Sequence, residues 1–335
     1  MSLARPDQIG EDALIAEFLA PLTAGVPGAF GLRDDCASLT PPPGMDLVLK
    51  TDPVRAGVHF FADDDPADIA WKALAVNVSD LAAKGATPLV YMLAISFPEA
   101  PTREWVRAFC AGLRVAQDAF GCRLTGGDTD RAAGPLSIAV TAIGTLPTGT
   151  MVPRGGAKAG DGLYVSGTIG DSALGLALRS GSAAGAAWRL SDAERQALIG
   201  RYLRPQPRLG LAEALRIYAS ASMDVSDGLA KDADRLLRAS GAGGDLDVGL
   251  VPLSATARRL VAEHESLLAR LITAGDDYEV LCAVPQNAEG AFVREASRAH
   301  VPVTCIGRVG DGHGARFLGL DGARLTLDNP GWTHF

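Results

Sequence analysis

The stretch ALAVNVSDLAAKGATP, residues 73–88, decides the fold of the amino-terminal half. Its apolar residues recur at helical spacing, and Gly85 predicts the end of the helix because glycine readily closes a helix in a left-handed conformation. Upstream, Asp65-Pro66 is typical of a helix start, with Asp as the cap and Pro in the first turn. Asp80 lies inside this apolar stretch, where a carboxylate is unfavourable unless it is paired or bound to a ligand.

Strands and helices are mixed on both sides of this helix, without strict alternation. In the first half the pattern predicts helices at 11–20 and 102–119, a loop at 26–35, and strands at 47–49, 89–97, 122–125 and 136–146. The strand at 47–49 leads directly into Thr51-Asp52. In the second half it predicts strands at 163–166, 245–250, 278–284 and 302–308, helices from 170 and at 207–219, 227–240, 254–268 and 287–299, and a hairpin at 315–327. This mixture favours a two-domain α+β protein over a single doubly wound sheet.

The segment 147–160 is rich in Gly, Pro and Thr, which favours a domain boundary there. We therefore predict one domain at 1–148 and another at 149–335. A chain of 335 residues accommodates two domains of ordinary size.

Composition and charge exclude several classes of function. The net charge is −8, and the chain lacks a run of five Lys or Arg, so nucleic acid and anionic membranes are poor partners. We read neither a signal peptide nor a run of 18 apolar residues. Five cysteines without a Cys-x-x-Cys pair indicate reduced thiols. These features predict a cytoplasmic protein.

Several aspartates occupy positions that we predict to be junctions between elements: Asp34, Asp35, Asp52, Asp80, Asp128, Asp224 and Asp227. Taken singly, most suit helix caps or turns. If they converge, each close pair costs about 4 kcal/mol at an effective dielectric near 20 unless cations intervene. A metal-free variant that loses one carboxylate is then expected to melt higher. Oxygen ligands favour Mg²⁺, whereas the five scattered His residues disfavour zinc.

Signals for phosphate binding are weaker. The Gly-x4-Gly-Lys-Ser/Thr and protein-kinase motifs are missing from the sequence. Residues 166–172, SGTIGDS, join a strand to a helix, and their glycines suit either exposed amides for a phosphate or an ordinary tight turn. Arg154 is either a phosphate-binding cation or a solvated loop residue.

Together these segments resemble the thiamine-monophosphate kinase family, within the superfamily of aminoimidazole-ribonucleotide synthetase and selenophosphate synthetase. The resemblance covers nearly the whole chain, in the family's order. The matching strings are GLRDDCASL, KTDPVRAGVHF, ALAVNVSDLAAKGATP, TGGDTDR, PRGGAKAGD, SGTIGDSALGL, MDVSDGLAKD, AGDDYEV, TCIGRV and GWTHF.

The resemblance implies a two-domain synthetase-type fold. Its N-terminal α/β domain binds metal and nucleotide and shares a barrel with a second copy in a homodimer. Its C-terminal α+β domain closes a cleft that holds ATP and substrate. The implied reaction is phosphorylation of thiamine monophosphate to thiamine diphosphate by direct in-line transfer from ATP, with several Mg²⁺ ions and without a covalent role for any side chain.

The site residues implied by the resemblance fall into three groups. The metal ligands are Asp35, Thr51, Asp52, Asp80, Asp128, Asp224 and Asp227. The ATP contacts are Gly127, Arg154 and Ser226. The contacts to thiamine monophosphate are His59, Asp276 and Trp332.

Three residues depart from the family's pattern. Arg33 stands where the first motif has a second glycine, Lys50 stands where a hydroxyl ligand is frequent, and Asp276 replaces a Glu. Two alternative functions remain open on the sequence: another ATP-dependent, phosphate-activating enzyme of the superfamily, and a non-catalytic nucleotide-binding regulator.

Overall fold

The computed structural model describes residues 7–327 and 331–333, and the chain divides into two compact units. The first unit comprises 1–81 and 86–149. The second comprises 82–85 and 150–335.

The first unit combines a sheet with two long helices. A short helix α1 (Glu11–Leu14) continues into one π-helical and one 3₁₀ segment (Ile15–Leu19 and Ala20–Thr23). A further 3₁₀ segment (Pro27–Leu32) follows. The other elements, in chain order, are β1 (Met45–Arg55), α2 (Pro66–Ala83), β2 (Thr87–Phe97), α3 (Arg103–Phe120), β3 (Arg123–Arg131) and β4 (Ser137–Pro147).

Within the described ranges the strands of this unit form one sheet in the order β1-β4-β2-β3. β4 pairs antiparallel with both β1 and β2, whereas β2 and β3 are parallel. Parallel neighbours need a crossover, which α3 provides. One face of the sheet is buried through alternate residues such as Tyr91, Leu93 and Ile95, while Met92 and Ala94 between them are exposed.

The second unit contains a larger mixed sheet. Its elements, in chain order, are β5 (Gly162–Ser166), α4 (Asp171–Arg179), α5 (Ala183–Ala187), α6 (Asp192–Leu203), α7 (Ala212–Tyr218), β6 (Ala221–Val225), α8 (Leu229–Ala239), β7 (Gly243–Asp247), α9 (Ala255–Glu263), α10 (Leu267–Thr273), β8 (Glu279–Val284), α11 (Glu289–Arg298), β9 (Val303–Gly310), β10 (Gly314–Leu318) and β11 (Arg324–Leu325). Over the described residues the strand order is β11-β10-β7-β9-β5-β8-β6. β5, β6 and β8 are buried along their whole length, so they form the centre of this unit.

Two strands are longer in the structure than the sequence predicts. β1 pairs with β4 from Met45 to Arg55, so it continues through the polar residues 50–52. Pro53 is compatible with this strand because β1 lies at the sheet edge. β3 runs on past Gly127 to Arg131. The expectation that the aspartates lie at junctions is therefore wrong for Asp52 and Asp128, because cross-strand pairing overrides their low strand propensity.

Other differences concern helix ends. The helix predicted at 254–268 is two helices, α9 and α10. The helix predicted from 207 begins as a 3₁₀ turn at Leu209–Leu211 before α7. Across the described part of the chain, no helix has both the length and the apolar character needed to cross a bilayer.

Candidate functional site

In the first unit, Asp52 and Asp80 converge on one cation, the side chain of Lys50. The Lys50 ammonium lies 2.9 Å from Asp52 Oδ2 and 2.8 Å from Asp80 Oδ2. The side chains of Lys50 and Asp80 are 29% and 21% exposed. Lys50 and Asp52 share a face of β1 because they are two residues apart, and Asp80 comes from α2. The Asp80 carboxylate inside the apolar helix is therefore paired with a cation. Such pairing is one of the two ways in which a carboxylate is tolerated at this kind of position, and binding to a ligand is the other.

Asn77 joins the backbones beneath this cluster. Its side chain is fully buried, and its Oδ1 accepts a hydrogen bond from the Asp52 backbone N–H at 2.7 Å. Its Nδ2 donates to the carbonyls of Asp52 and Ala73 at 3.3 and 3.1 Å. Because both ends of the amide are used, α2 is tied to β1 one helical turn before Asp80.

The charges of the cluster perturb one another. Burial alone would lower the pKa of Lys50, but Asp80 and Asp52 outweigh it and hold that pKa well above its usual range. Burial raises the pKa of Asp52, and the Lys50 ammonium offsets part of this rise. The pair of carboxylates therefore already has a cation at its centre.

Asp128 and Gly127 lie across the width of the same sheet from Asp52. Asp52 pairs with Val140 on β4, Val140 with Leu93 on β2, and Leu93 with Gly127 on β3. Three strand spacings place the backbones of Asp52 and Gly127 about 14 Å apart. Asp128 follows Gly127 and points to the opposite face of the strand. Within one chain Asp128 and Asp52 therefore cannot bind the same Mg²⁺, whose ligands lie about 2 Å from the ion.

Gly127 is required by this packing. A Cβ at this position would lie 1.8 Å from the Leu93 carbonyl oxygen. The Asp128 carboxylate accepts the Thr129 N–H at 2.9 Å and is exposed.

The remaining predicted residues of the first unit are separate from the Lys50 cluster or at its margin. Thr51 points away from Asp52, and its hydroxyl contacts the Val140 carbonyl and the Thr141 hydroxyl, both at 3.1 Å. Asp35 is exposed in the loop after the 3₁₀ segment at 27–32. His59 accepts the Arg55 N–H through Nδ1 at 3.0 Å.

In the second unit, the loop at 226–228, between β6 and α8, is held by a buried carboxylate. Asp232, on the first turn of α8, accepts the backbone N–H groups of Ser226 and Asp227 at 3.0 and 2.9 Å. Asp232 is 0% exposed, and burial raises its pKa to about 6. Arg235 pairs with both Asp232 and Asp227, at 2.9 and 2.6 Å. Asp224 is buried at the end of β6.

Two further segments converge on this loop and bring predicted substrate residues to it. The Asp276 N–H donates to the Ser226 carbonyl at 2.9 Å, and the Trp332 N–H donates to the Asp227 carbonyl at 3.0 Å. Trp332 is 51% exposed, so its ring is accessible. Gly331 lets the segment approach, because a Cβ there would meet the Asp227 carbonyl oxygen at 2.6 Å.

The segment around Asp276 is held in a strained conformation. Asp276 and Tyr278 have φ values of 71° and 52°, in the left-handed region. A left-handed residue other than glycine costs on the order of 1 kcal/mol and persists where its surroundings impose it. Here the Tyr278 N–H donates to the Val225 carbonyl at 2.8 Å, and the Tyr278 hydroxyl contacts Asp276 Oδ1 at 3.2 Å.

Sequence reasoning missed a buried ionic network next to this segment. Glu279 is fully buried and accepts hydrogen bonds from Arg208 Nε at 2.5 Å, Arg201 Nη2 at 2.9 Å and the Ser166 hydroxyl at 2.6 Å. Asp277, also buried, accepts the Gly170 N–H with both carboxylate oxygens, at 2.9 and 3.0 Å. The two acidic residues thus fix the glycine-containing turn at 166–170. The signal in the sequence was a Glu at the start of an apolar strand.

Arg154 is exposed in a segment whose backbone is anchored on both sides. The Ser222 N–H donates to the Pro153 carbonyl at 2.9 Å, and the Gly156 N–H donates to the Ser240 hydroxyl at 3.1 Å. The structure therefore places Arg154 beside β6 and the end of α8.

The predicted metal ligands are thus divided between the two units, and in the first unit Asp52 and Asp80 are the two that share a cation. Among the described residues, no three or more His, Cys, Asp or Glu side chains form a cluster that could hold a metal ion by themselves. In the first unit, Asp52 and Asp80 form a pair of carboxylates that meet at one cation. Its oxygens fit a hard cation, since both already contact an ammonium within 3 Å.

Comparison with known proteins assigns both halves of the chain to one class. Residues 33–146 match the N-terminal domain of the AIR synthase related proteins, and residues 158–319 match the C-terminal domain of the same proteins. The chain is thus a two-domain AIR synthase related protein.

Individual relatives define the family within this class. The thiamine-monophosphate kinase of Salmonella typhimurium is 41% identical over 97% of this chain and 98% of its own. The crystal structure of thiamine-monophosphate kinase from Stenotrophomonas maltophilia has a TM-score of 0.79 at 38% identity, over 88% of this chain and 91% of its own. AaThiL complexed with AMPPCP and TMP has a TM-score of 0.76 at 31% identity, over the full length of both chains. The chain belongs to the thiamine-monophosphate kinase family.

Proposed function

We propose that the protein phosphorylates thiamine monophosphate to thiamine diphosphate, with ATP as the phosphoryl donor and several Mg²⁺ ions. The observation that carries this proposal is the convergence in the second unit. There the Ser226-Asp227 loop, to which we assign ATP and metal contacts, bonds directly to Asp276 and Trp332, to which we assign substrate contacts. The relatives named above support the same reaction.

The site supplies positioning and charge neutralisation rather than a nucleophile. An oxygen of the substrate phosphate attacks the γ-phosphorus of ATP, a P–O bond forms, and the bond to the β-phosphate oxygen breaks to release ADP. The attacking phosphate is ionised near pH 7, so a strong general base is unnecessary. Phosphoryl transfer of this kind depends mainly on alignment and electrostatic stabilisation.

Cations have to balance the charge of two phosphate groups in a protein of net charge −8. When bound, Mg²⁺ would neutralise charge on the transferring phosphate. Seven residues would hold the ions, with carboxylates as most of the donors: Asp35, Thr51, Asp52, Asp80, Asp128, Asp224 and Asp227. Gly127, Arg154 and Ser226 would contact ATP. Gly127 suits this role because it is exposed and has no side chain to obstruct a phosphate.

The substrate combines a phosphate with two rings, one of them positively charged. The Trp332 indole, half exposed beside Asp227, offers a face for stacking and for a cation–π contact. Asp276 offers a carboxylate whose orientation is fixed by the strained segment 276–278. His59 would make a third contact.

We assign the two predicted domains different roles. Residues 1–148 would bind metal and nucleotide and form a homodimer, while 149–335 would supply the remaining ATP and substrate contacts. The homodimer is supported by the first sheet, whose second face presents Leu49 at 66% and Met92 at 42% exposure. A second copy that covers this face would bury apolar surface and enclose a shared barrel. We place the protein in the cytoplasm.

The test is incubation with ATP and Mg²⁺ and, in parallel, thiamine monophosphate, thiamine or neither. We expect ADP and thiamine diphosphate in equal amounts with the monophosphate alone. ADP release without thiamine diphosphate would instead indicate another phosphate-activating enzyme of the class. Binding of ATP without turnover on any acceptor would indicate a nucleotide-binding regulator, and either outcome would overturn the proposal.

A further inference from the structure

Lys50 occupies the point where two carboxylates assigned to metal binding meet. Its ammonium contacts Asp52 Oδ2 and Asp80 Oδ2 at 2.9 and 2.8 Å, and its side chain is 29% exposed. Distances near 3 Å from one ammonium to two carboxylates are those of charge-assisted hydrogen bonds. Lys50 is therefore an internal counter-ion of the pair and not a solvated surface lysine.

The surroundings hold Lys50 in this place. It lies on β1 between Val48 and Asp52 on the face that α2 covers, and Ala142 is its partner on β4. Asn77 ties the backbone of Asp52 to α2, which fixes the spacing of the two carboxylates. The ammonium is therefore positioned by the strand register and by a buried amide.

A divalent ion bound by the same two oxygens would come within a few ångströms of this ammonium. The two carboxylates together carry a charge of −2, and the Lys50 ammonium already reduces it to −1. A Mg²⁺ ion added at this point would face cationic repulsion in a partly buried setting, where screening by water is reduced. A Mg²⁺ ion and the Lys50 ammonium therefore exclude each other from the position between the two carboxylates.

We propose that Lys50 is a resident cation of the phosphate-binding site, and that its ammonium replaces one divalent ion between Asp52 and Asp80. The inference rests on the proposed function, since it concerns the metal ions of that reaction. The ammonium has three N–H donors, and the two carboxylates use two of them, so a third can donate to a phosphate oxygen. The protein thereby binds one divalent ion fewer per chain than it would with a hydroxyl residue at position 50.

The experiment counts bound ions directly. Mn²⁺ binding is titrated by the electron paramagnetic resonance signal of the free ion, with and without a non-hydrolysable ATP analogue. The variants are Lys50→Ser, which gives a hydroxyl, and Lys50→Met, which keeps length without charge. Lys158→Ser is the matched control, because Lys158 is exposed and its substitution removes the same charge elsewhere.

We expect Lys50→Ser and Lys50→Met each to bind one more Mn²⁺ per chain than the parent, and Lys158→Ser to bind the same number as the parent. The melting temperature without divalent ions should fall in both Lys50 variants, and Mg²⁺ should raise it more in them than in the parent. Lys50→Arg keeps the charge and should retain the parental count.

An unchanged or reduced Mn²⁺ count in Lys50→Ser and Lys50→Met would overturn the proposal. If a variant does not fold without metal, the count is made after refolding in Mn²⁺, and Lys50→Arg supplies the comparison. Failure of the proposed function is a separate result. It would be seen as absent turnover of thiamine monophosphate by the parent, whereas the ion count with Mn²⁺ alone still decides the role of Lys50.

Discussion

Replacing Glu279 by Gln should strongly destabilise the second unit. Glu279 is 0% exposed and receives Arg208 through two hydrogen bonds, Arg201 through one, and the Ser166 hydroxyl. The Arg201 and Arg208 side chains are 19% and 22% exposed. The substitution keeps the size of the side chain but removes the negative charge with which the two poorly hydrated guanidinium groups of Arg201 and Arg208 pair.

The magnitude follows from the burial of this network. Breaking a buried ion pair by removing one partner costs about 3–5 kcal/mol. Gln retains one carbonyl acceptor, so we expect about 3 kcal/mol. For a unit of this size each kcal/mol lowers the melting temperature by about 2–4 °C, so a fall of about 6–12 °C is expected.

The assay is calorimetric melting of the parent and Glu279→Gln, with Glu295→Gln as the matched control. Glu295 pairs with Arg298 at 2.5 Å, but their side chains are 37% and 73% exposed, so its loss should cost under about 0.5 kcal/mol. Because Glu279 directly follows the strained segment 276–278, which carries the proposed substrate contact Asp276, the Michaelis constant for thiamine monophosphate should also rise in Glu279→Gln. Equal melting temperatures for the two variants would refute the view that this network holds the turn at 166–170.

Four other predictions test the site and its surroundings. Asp52→Asn and Asp80→Asn should abolish thiamine diphosphate formation in a fixed-time assay, while circular dichroism shows that both proteins remain folded. Without metal ions, Asp80→Asn should melt at a lower temperature than the parent. ATP with Mg²⁺ should raise the melting temperature more than ATP with EDTA, because phosphate and metal complete each other's ligand shells; equal shifts would exclude a metal-dependent nucleotide site. Trp332→Ala should raise the Michaelis constant for thiamine monophosphate tenfold to a hundredfold, which corresponds to a loss of about 1.4–2.8 kcal/mol of binding free energy, and should leave the Michaelis constant for ATP unchanged. A rise in both Michaelis constants together with a lower melting temperature would make Trp332 a packing residue. The Ser191 N–H and Arg259 lower the pKa of Glu194 to about 2, so Glu194 stabilises the protein above pH 4.5 and loses this effect as the pH falls towards 2. The difference in melting temperature between the parent and Glu194→Gln should therefore vanish as the pH falls over that range.

The sequence was informative where a pattern had a local cause. The helix around Asp80 could be predicted because its apolar residues, its Asp65-Pro66 start and its closing Gly85 are all local signals, and the structure has α2 at Pro66–Ala83. The extent of β1 and β3 could not be predicted, since pairing with β4 and β2 carries polar and glycine residues into strands. Pairing partners are distant in the chain and leave no local signal.

The candidate site shows the same division. The contacts of Asp276 and Trp332 with the 226–227 loop join segments about 50 and 100 residues apart, so only the resemblance brought these residues together beforehand. The Glu279 network was missed because Arg201 and Arg208 occupy ordinary helix and loop positions in the sequence. The contact of Ser166 with Glu279 likewise depends on β8 lying beside β5, a fact of sheet order.

The position of Lys50 reverses the sign of one inference about stability. From the sequence, converging carboxylates should repel, so removing Asp80 should stabilise the metal-free protein. In the structure Lys50 lies 2.8 Å from Asp80, an attraction of about 6 kcal/mol at an effective dielectric near 20. Two carboxylates that flank one ammonium at an assumed separation of about 4 Å repel each other by about 4 kcal/mol on that scale. Loss of Asp80 therefore removes more attraction than repulsion, and Asp80→Asn should destabilise the metal-free protein by about 2 kcal/mol. A single lysine on the edge strand thus neutralises half of the charge of the carboxylate pair, so the pair no longer depends on a metal ion alone for its stability.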